Sequence, residues 1–313
     1  MAGATHARRP FRFGTVTTAG TDLSRRRWAE HARRVEGLGF STLVVADHFA
    51  NTTVCTPRLA AAAMVTTRLR LGSYVYDNDF RHPVLLAREA AEIDLLSDGR
   101  MELGIGAGWA KSEYDMVGLP FDSGPTRAAR YEEAVDIIRR LHLGERVTHQ
   151  GEFYTLEDCE LSVEPVQQPI PLLLGGGGPR MTRFAAERAD IVGYVPRSLP
   201  DGGLDPAEFS EDAFADKVAI LDAALTTPPE EGPERAILLF YAGPDTDGLP
   251  TDPQAGWSSP EILAQSPYAL VGDTDQMIDA LVERRERWSL TYFTCWEEDI
   301  DLLAPVVDKL AGT

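Results

Sequence analysis

A run of four glycines is the segment whose chemistry is easiest to interpret. The four are Gly175, Gly176, Gly177 and Gly178. They follow the apolar segment Leu172–Leu174, and Pro179 suits the first turn of a following helix. Glycine lets backbone N–H groups approach a phosphate closely, and a helix start adds favourable partial charge. The pattern therefore predicts a phosphate site with Arg180 as a further ligand; a flexible turn is the alternative.

Asp47 and His48 directly follow another buried apolar segment. Histidine titrates near neutral pH, so His48 is the first candidate for a residue that transfers a proton. A metal site would need further histidine or carboxylate ligands at other strand ends, and only His82 is near such a position. The sequence favours proton transfer over metal binding, and a structural hydrogen bond of His48 is the remaining alternative.

Two hydroxyl side chains, Ser73 and Tyr74, close a further apolar segment. Tyr74 or Tyr76 is the second candidate for the proton donor. Packing in the core or at the rim is the alternative for each tyrosine.

Gly106, Ala107 and Gly108 close the next apolar segment. They do not complete a dinucleotide-binding fingerprint, because Trp109 stands where that pattern requires glycine. A strand end with so few side chains predicts a backbone surface against which a flat ring system packs.

These segments recur along a chain that alternates short apolar runs with longer amphipathic ones. The predicted strands are 11–17, 42–46, 69–75, 101–105, 172–174, 191–195, 237–241 and 290–296. Eight strands separated by helices predict a parallel (β/α)₈ TIM barrel, with a doubly wound open sheet as the alternative. Every candidate above lies at the end of a predicted strand or just after one, and active sites of such barrels lie at that end. We expect one domain over 1–313, with loop insertions at 145–168, 196–210 and 243–260.

The composition of the chain limits the classes of partner and the cellular location that we expect. The net charge of −19 argues against nucleic acid or an anionic membrane surface as the main partner. The three cysteines form no CxxC pair, which argues against a disulfide framework or a zinc site. No apolar stretch has the length of a membrane span, and none follows Arg8 and Arg9 as a secretory signal would require. We therefore expect a soluble cytoplasmic protein.

Several short motifs, taken in order, resemble the luciferase-like superfamily of flavin- and F420-dependent oxidoreductases. They are Gly37-Leu38-Gly39-Phe40, Ala46-Asp47-His48, 67–72, 94–100, 103–109, Glu113-Tyr114, Arg130-Tyr131 with Glu133, the four glycines and 185–191. Each motif alone is weak evidence for the superfamily, but the order and spacing of the whole set are specific to it. The similarity extends from about Phe11 to Gly193.

The resemblance implies a barrel that holds F420, or alternatively FMN, at the C-terminal rim. Asp47 and His48 would then lie beside the ring, and Ser73-Tyr74 would form a bulge, commonly with a non-proline cis peptide. Gly106 to Gly108 would pass close to the ring, and the four glycines would bind the phosphate. The resemblance also implies a homodimer.

One departure from the superfamily concerns the substrate. The sugar-phosphate dehydrogenases of this superfamily carry a catalytic glutamate where this chain has Trp109, so a sugar phosphate is not expected. We expect F420H2-dependent reduction of a C=C or C=N bond in a small molecule or peptide. An FMN-dependent monooxygenase is the alternative; a non-enzymatic barrel and a metal-dependent hydrolase are less favoured.

Overall fold

A computed structural model describes residues 9–17, 24–49, 53–228, 231–247, 249, 262–263 and 265–313. In chain order, its strands are β1 (Arg12–Thr17), β2 (Thr42–Val45), β3 (Arg70–Ser73), β4 (Tyr76–Asp77), β5 (Met101–Gly106), β6 (Val147–Gln150), β7 (Thr155–Cys159), β8 (Leu172–Gly175), β9 (Ile191–Tyr194), β10 (Glu234–Leu238), β11 (Tyr241–Gly243), β12 (Ala269–Val271) and β13 (Leu290–Trp296).

Eight of these strands close a parallel barrel in the order β3-β2-β1-β13-β10-β9-β8-β5. The pairing of β3 with β5, which places Leu71 beside Met101, closes the cylinder. The short β4 continues β3 along β5. The predicted (β/α)₈ barrel is therefore confirmed, because an open sheet would leave β3 and β5 unpaired.

Helices surround the barrel. Among the described residues they are α1 (Arg25–Gly37), α2 (Cys55–Ala63), α3 (Pro83–Leu96), α4 (Lys111–Val117), α5 (Gly124–His142), α6 (Pro179–Arg188), α7 (Glu211–Ala224), α8 (Thr274–Trp288) and α9 (Ile300–Leu310). Local sequence sets their starts: Ser24 caps α1, and the Asp273–Gln276 capping box begins α8. Asp22, a residue of a type favoured at helix caps, also precedes this helix in sequence but lies outside the described residues.

The seventh barrel strand begins and ends earlier than predicted, at Glu234–Leu238 instead of 237–241. The chain leaves the barrel at Phe240, whose N–H donates to the Tyr268 carbonyl at 2.8 Å. Tyr241–Gly243 then pairs with Ala269–Val271 in a separate two-stranded sheet. The apolar run is thus continuous in sequence but divided between two sheets.

The barrel interior is filled by side chains. Its apolar cluster contains Val16, Val44, Ala46, Tyr74, Leu173, Ile191, Ala236, Leu238 and Tyr292. A larger apolar cluster lies between the strands and the surrounding helices. Because the interior is packed, a ligand of the barrel must bind at one of its ends. The C-terminal end carries the residues that the sequence singled out.

The described helices include none that is both long and apolar enough to cross a membrane. Cys55 and Cys295 are buried free thiols, and Cys159 is a half-buried one. The cytoplasmic location stays a prediction.

Candidate active site

A bulge between β3 and β4 shapes the centre of the C-terminal rim. The peptide bond Tyr74–Val75 is cis, so the bulge that the resemblance implied is confirmed. The Val75 side chain faces the glycines of β5 and β8: a Cβ added at Gly106 would lie 2.8 Å from Val75 Cγ2, and one at Gly175 would lie 3.7 Å from Cγ1. Glycine is needed at 106 because the bulge occupies the space of a side chain.

Ser73 fixes this bulge to β5. Its buried hydroxyl donates to the Gly104 carbonyl at 2.7 Å and accepts from the Gly104 N–H at 3.1 Å. A Cβ at Gly104 would overlap the Ser73 carbonyl oxygen. In this structure Ser73 therefore holds two neighbouring strands together; direct contact of its side chain with a cofactor stays a prediction.

Tyr74 and Tyr76 are both buried. Tyr74 belongs to the cluster inside the barrel, and its hydroxyl lies near Gly193. The Tyr76 hydroxyl shares a 3.1 Å hydrogen bond with Thr56 Oγ1. Burial raises the pKa of both phenols above the ordinary value. These positions favour His48 over either tyrosine as the residue that exchanges a proton, and the role predicted for Tyr74 stays a prediction.

Asp47 is held by a two-pronged ion pair. Arg81 donates to its two carboxylate oxygens at 2.6 and 3.1 Å, and the Asp77 N–H donates to Oδ2 at 3.1 Å. The Arg81 guanidinium also lies 4.6 Å from the centre of the Tyr76 ring. Because a bidentate pair restricts both partners, the loop after β2 is fixed immediately before His48.

His48 contacts a carboxylate to which the sequence assigned no role. Its Nδ1 lies 2.9 Å from Glu113 Oε2, and the side chain of Glu113 is only 8% exposed. The Trp109 ring meets the His48 ring edge-on, with centroids 5.7 Å apart. His48 and Glu113 are 65 positions apart in sequence, so no local sequence pattern predicts this contact.

An acidic cluster, formed by Asp77 and Asp79, lies beside the His48–Glu113 pair. The Tyr114 hydroxyl lies 3.0 Å from both carboxylate oxygens of Asp77 and 3.2 Å from Asp79 Oδ2. Arg130 pairs with Asp79 at 2.9 Å. Burial, aided by the charge of Asp79, raises the pKa of Asp77 to about 7. Asp77 therefore changes its charge near neutral pH.

Gly108 makes this cluster possible. Its φ of +76° is one that glycine adopts readily. A Cβ at this position would overlap the Tyr114 hydroxyl and lie 2.6 Å from Asp77 Oδ2. Gly108 was predicted to leave room for a ring, and in the structure the same space admits the Asp77–Tyr114 contact. Its contact with a cofactor, like that of Ala107, stays a prediction.

The four glycines lead from β8 into α6, as predicted. Gly176 and Gly177 are closely packed, because Cβ atoms there would overlap Met181 and the backbone of Arg197. Gly178 is the N-cap of α6, and a Cβ there would have nothing within 4 Å. The backbone at Gly178 is therefore open, and the first-turn N–H groups of a helix lack intrahelical acceptors. These features fit an anion.

Arg180 is directed to a neighbouring helix. Its Nε and Nη2 each donate to the Glu132 carboxylate at 2.7 Å, and the pair is exposed. An anion at the glycines would have to compete with Glu132 for this guanidinium, so its role as a ligand stays a prediction.

A cavity of about 410 Å³ opens beside the acidic cluster, lined in part by Arg81, Tyr114, Arg130 and Tyr154. A second, of about 460 Å³, lies at the opposite end of the barrel near Arg9 and Asp190. Only the first is at the end where strands of such barrels place their active sites. Within the described ranges, no group of three histidine, cysteine or acidic residues is arranged to hold a metal ion.

The sequence of this chain is similar to those of known proteins. Residues 9–203 match the family described as luciferase-like monooxygenase. An F420-dependent glucose-6-phosphate dehydrogenase from Intrasporangium calvum is 35% identical over 175 residues, 53% of this chain and 52% of the relative. The enzyme of that name from Beutenbergia cavernae is 36% identical over 218 residues, 65% of this chain and 64% of the relative. The chain thus spans only about half the length of the first relative.

Among solved structures, an F420-dependent secondary alcohol dehydrogenase in complex with an F420–acetone adduct superposes with a TM-score of 0.75. It covers 95% of this chain and 98% of its own, at 21% identity. At that identity the likeness shows a shared fold, and it agrees with the closed barrel found here.

Proposed function

Because this chain belongs to the luciferase-like monooxygenase family, we propose that it is an F420-dependent oxidoreductase. The observation that carries the proposal is the open helix start at Gly178, on the same barrel rim as His48. Relatives about 35% identical bear the name of F420-dependent enzymes, which supports F420 over FMN. The relatives are matched over part of their length, so the proposal concerns the cofactor and the reaction class.

The residues present fit this cofactor. Gly178 and the first-turn N–H groups of α6 would hold its phosphate, and the bulge at Tyr74–Val75 with Gly106 would back its ring. Asp47 and His48 follow the end of β2, which pairs with β3 in the barrel. When bound, reduced F420 supplies a hydride, and the protein contributes binding, orientation and proton transfer.

His48 holds the proton that the reduced substrate must gain. Its ring is kept in place by Glu113 and Trp109, so little orientational freedom is lost when a substrate binds. Tyr74 is the second candidate, although its hydroxyl lies within the barrel cluster. A positioned general acid of this kind contributes about 10²- to 10⁴-fold to turnover.

Trp109 bears on the substrate class. The residue is 39% exposed and lies beside His48, and the sugar-phosphate dehydrogenases of the superfamily carry a glutamate at this position. An exposed aromatic ring favours an apolar or planar substrate over a sugar phosphate. We therefore propose an unsaturated small molecule or peptide, reduced at C=C or C=N, as the substrate. We also propose a homodimer, which sedimentation of the purified protein would test.

A binding experiment tests the cofactor. Titration of F420, followed by its fluorescence, should saturate with the wild-type protein, whereas FMN should compete poorly. Gly178→Ala should keep the fold, because its Cβ enters open space, yet weaken F420 binding at least tenfold by blocking the phosphate. Gly124→Ala, at another open helix start, is the matched control. Tight binding of FMN alone would favour a monooxygenase, and binding of neither would reject both enzymes.

A second experiment tests the proton donor. His48→Ala should lower turnover of F420H2 with unsaturated acceptors about 10²-fold or more, with the F420 dissociation constant nearly unchanged. Unchanged turnover would remove His48 from the mechanism and leave the cofactor assignment intact.

A further inference from the structure

Glu113 is a buried carboxylate that reaches the candidate proton donor from another element. It projects from α4, whereas His48 lies in the loop that follows β2. The 2.9 Å contact joins Glu113 Oε2 to Nδ1 of His48. When the Glu113 carboxylate is ionised it only accepts hydrogen bonds, and Nδ1 then carries the shared proton as donor. The contact therefore selects one of the two neutral tautomers of the ring.

Each partner is anchored through its neighbour in sequence. Asp47, next to His48, is held by Arg81 and by the Asp77 N–H. Tyr114, next to Glu113, is hydrogen-bonded to Asp77. The backbone of Asp77 thus fixes the loop after β2, and its side chain fixes α4. The His48–Glu113 distance is set by these two anchors and not by a flexible surface contact.

On this geometry, we propose that Glu113 is a positioning residue, which holds the proton of His48 on Nδ1 and directs proton exchange with the substrate to Nε2. This rests on the proposed function of His48 as proton donor. In the doubly protonated ring, the proton on Nε2 is transferred to the reduced substrate atom, which leaves the neutral ring with its proton on Nδ1; solvent restores the Nε2 proton after product release. Glu113 keeps its own charge throughout.

The alternative is that Glu113 only attaches α4 to the barrel. A purely structural contact would change stability when removed, but it would not change which nitrogen carries the ring proton in a protein that still folds. The two readings are therefore separated by observing the ring nitrogens themselves.

The experiment measures the ¹⁵N chemical shifts of His48 in the full-length protein without cofactor, under alkaline conditions where imidazole is neutral. The chain has six histidines, and the His48 signals are assigned as those lost in His48→Gln. Wild type should show the proton on Nδ1. Glu113→Ala should move it to Nε2, and Glu113→Gln, which preserves the volume if alanine unfolds the protein, should move it at least in part. Asp115→Asn, on the exposed side of α4 and paired with Lys111, is the matched control.

With F420 and an acceptor, both Glu113 variants should lower kcat about tenfold or more, with little change in the F420 dissociation constant. Nitrogen shifts in both variants equal to those of Asp115→Asn would overturn the proposal. A proton on Nε2 in the wild type would also overturn it. Because the spectra need no cofactor, failure to bind F420 would reject the proposed function while the tautomer result still decides the role of Glu113.

Discussion

Each end of the barrel buries a carboxylate, but the charged groups that surround the carboxylate differ between the two ends. At the N-terminal end, Glu102 lies between two guanidinium groups, Arg12 at 2.5 Å and Arg70. At the C-terminal end, Asp77 is bonded to the Tyr114 hydroxyl and the Asp79 N–H, and Asp79 rather than Asp77 receives the nearby Arg130. Both side chains are nearly excluded from solvent.

The difference shows how one functional group, the carboxylate, serves two purposes. Two positive charges compensate the desolvation of Glu102, so that end is held by a network of opposite charges. Among the described residues no cation forms an ion pair with Asp77, and burial raises its pKa to about 7. The N-terminal end is therefore specialised for stability, and the C-terminal end keeps a group whose charge changes near neutral pH.

The largest effect should follow from breaking the N-terminal network. Glu102→Gln leaves Arg12 and Arg70 facing each other without their shared carboxylate, and should reduce the free energy of unfolding by about 3 to 5 kcal/mol. Asp77→Asn should cost much less at pH 6, where the wild-type carboxyl is mostly neutral. Denaturant titration of both variants measures the contrast, and equal losses would contradict the difference drawn between the two ends.

A smaller effect is expected at Gly108. Alanine there must adopt a left-handed φ and displace the Tyr114 hydroxyl, so Gly108→Ala should cost about 2 to 3 kcal/mol of unfolding free energy. Gly118→Ala is the matched control, since it has a similar φ of +73° but open space around its Cβ; it should cost only about 1 kcal/mol. Thermal unfolding of the pair isolates the packing contribution, and equal melting temperatures would argue against it.

The pH dependence of stability should differ between wild type and Asp77→Asn. The folded pKa of Asp77 is about 7, above its unfolded value of 3.8, so the folded state retains this proton longer. Its contribution is most favourable at acidic pH and is lost as pH rises to 7. The stability of Asp77→Asn relative to wild type should therefore increase between pH 4 and 7, the window bounded by the unfolded and folded pKa values, and then level off. A flat difference would show that Asp77 titrates normally.

The smallest effect is expected at Arg180. Its exposed pair with Glu132 should contribute less than about 1 kcal/mol to stability, so Arg180→Ala should leave the denaturation midpoint almost unchanged. Because Glu132 already holds the guanidinium, the F420 dissociation constant should rise less than tenfold. Fluorescence titration measures it, and a rise as large as that of Gly178→Ala would establish Arg180 as a principal phosphate ligand.

Much of this architecture follows from local sequence. The alternation of apolar runs and amphipathic segments predicts the eight strands, because strand and helix periodicities differ. The position of Asp47, His48 and the four glycines after strands predicts the rim that carries them. Tyr241, predicted as the last residue of the seventh barrel strand, instead begins β11. The prediction was wrong there because an apolar run has the same appearance in either sheet, and only the pairing of Tyr241–Gly243 with Ala269–Val271 separates the two.

The sequence by itself determined the alternation of strands and helices and the rim where chemistry is expected, since both depend on periodicity and on residues that follow strands. The pairing of β3 with β5, which the tertiary structure supplies, decided that the barrel is closed. Only the tertiary structure decided that Glu113 contacts His48 and that Gly108 admits Tyr114 to Asp77. It also decided that Arg180 is held by Glu132. The physical reason is that side-chain contacts between distant elements depend on how helices are anchored on the barrel, and neither composition nor spacing records that geometry.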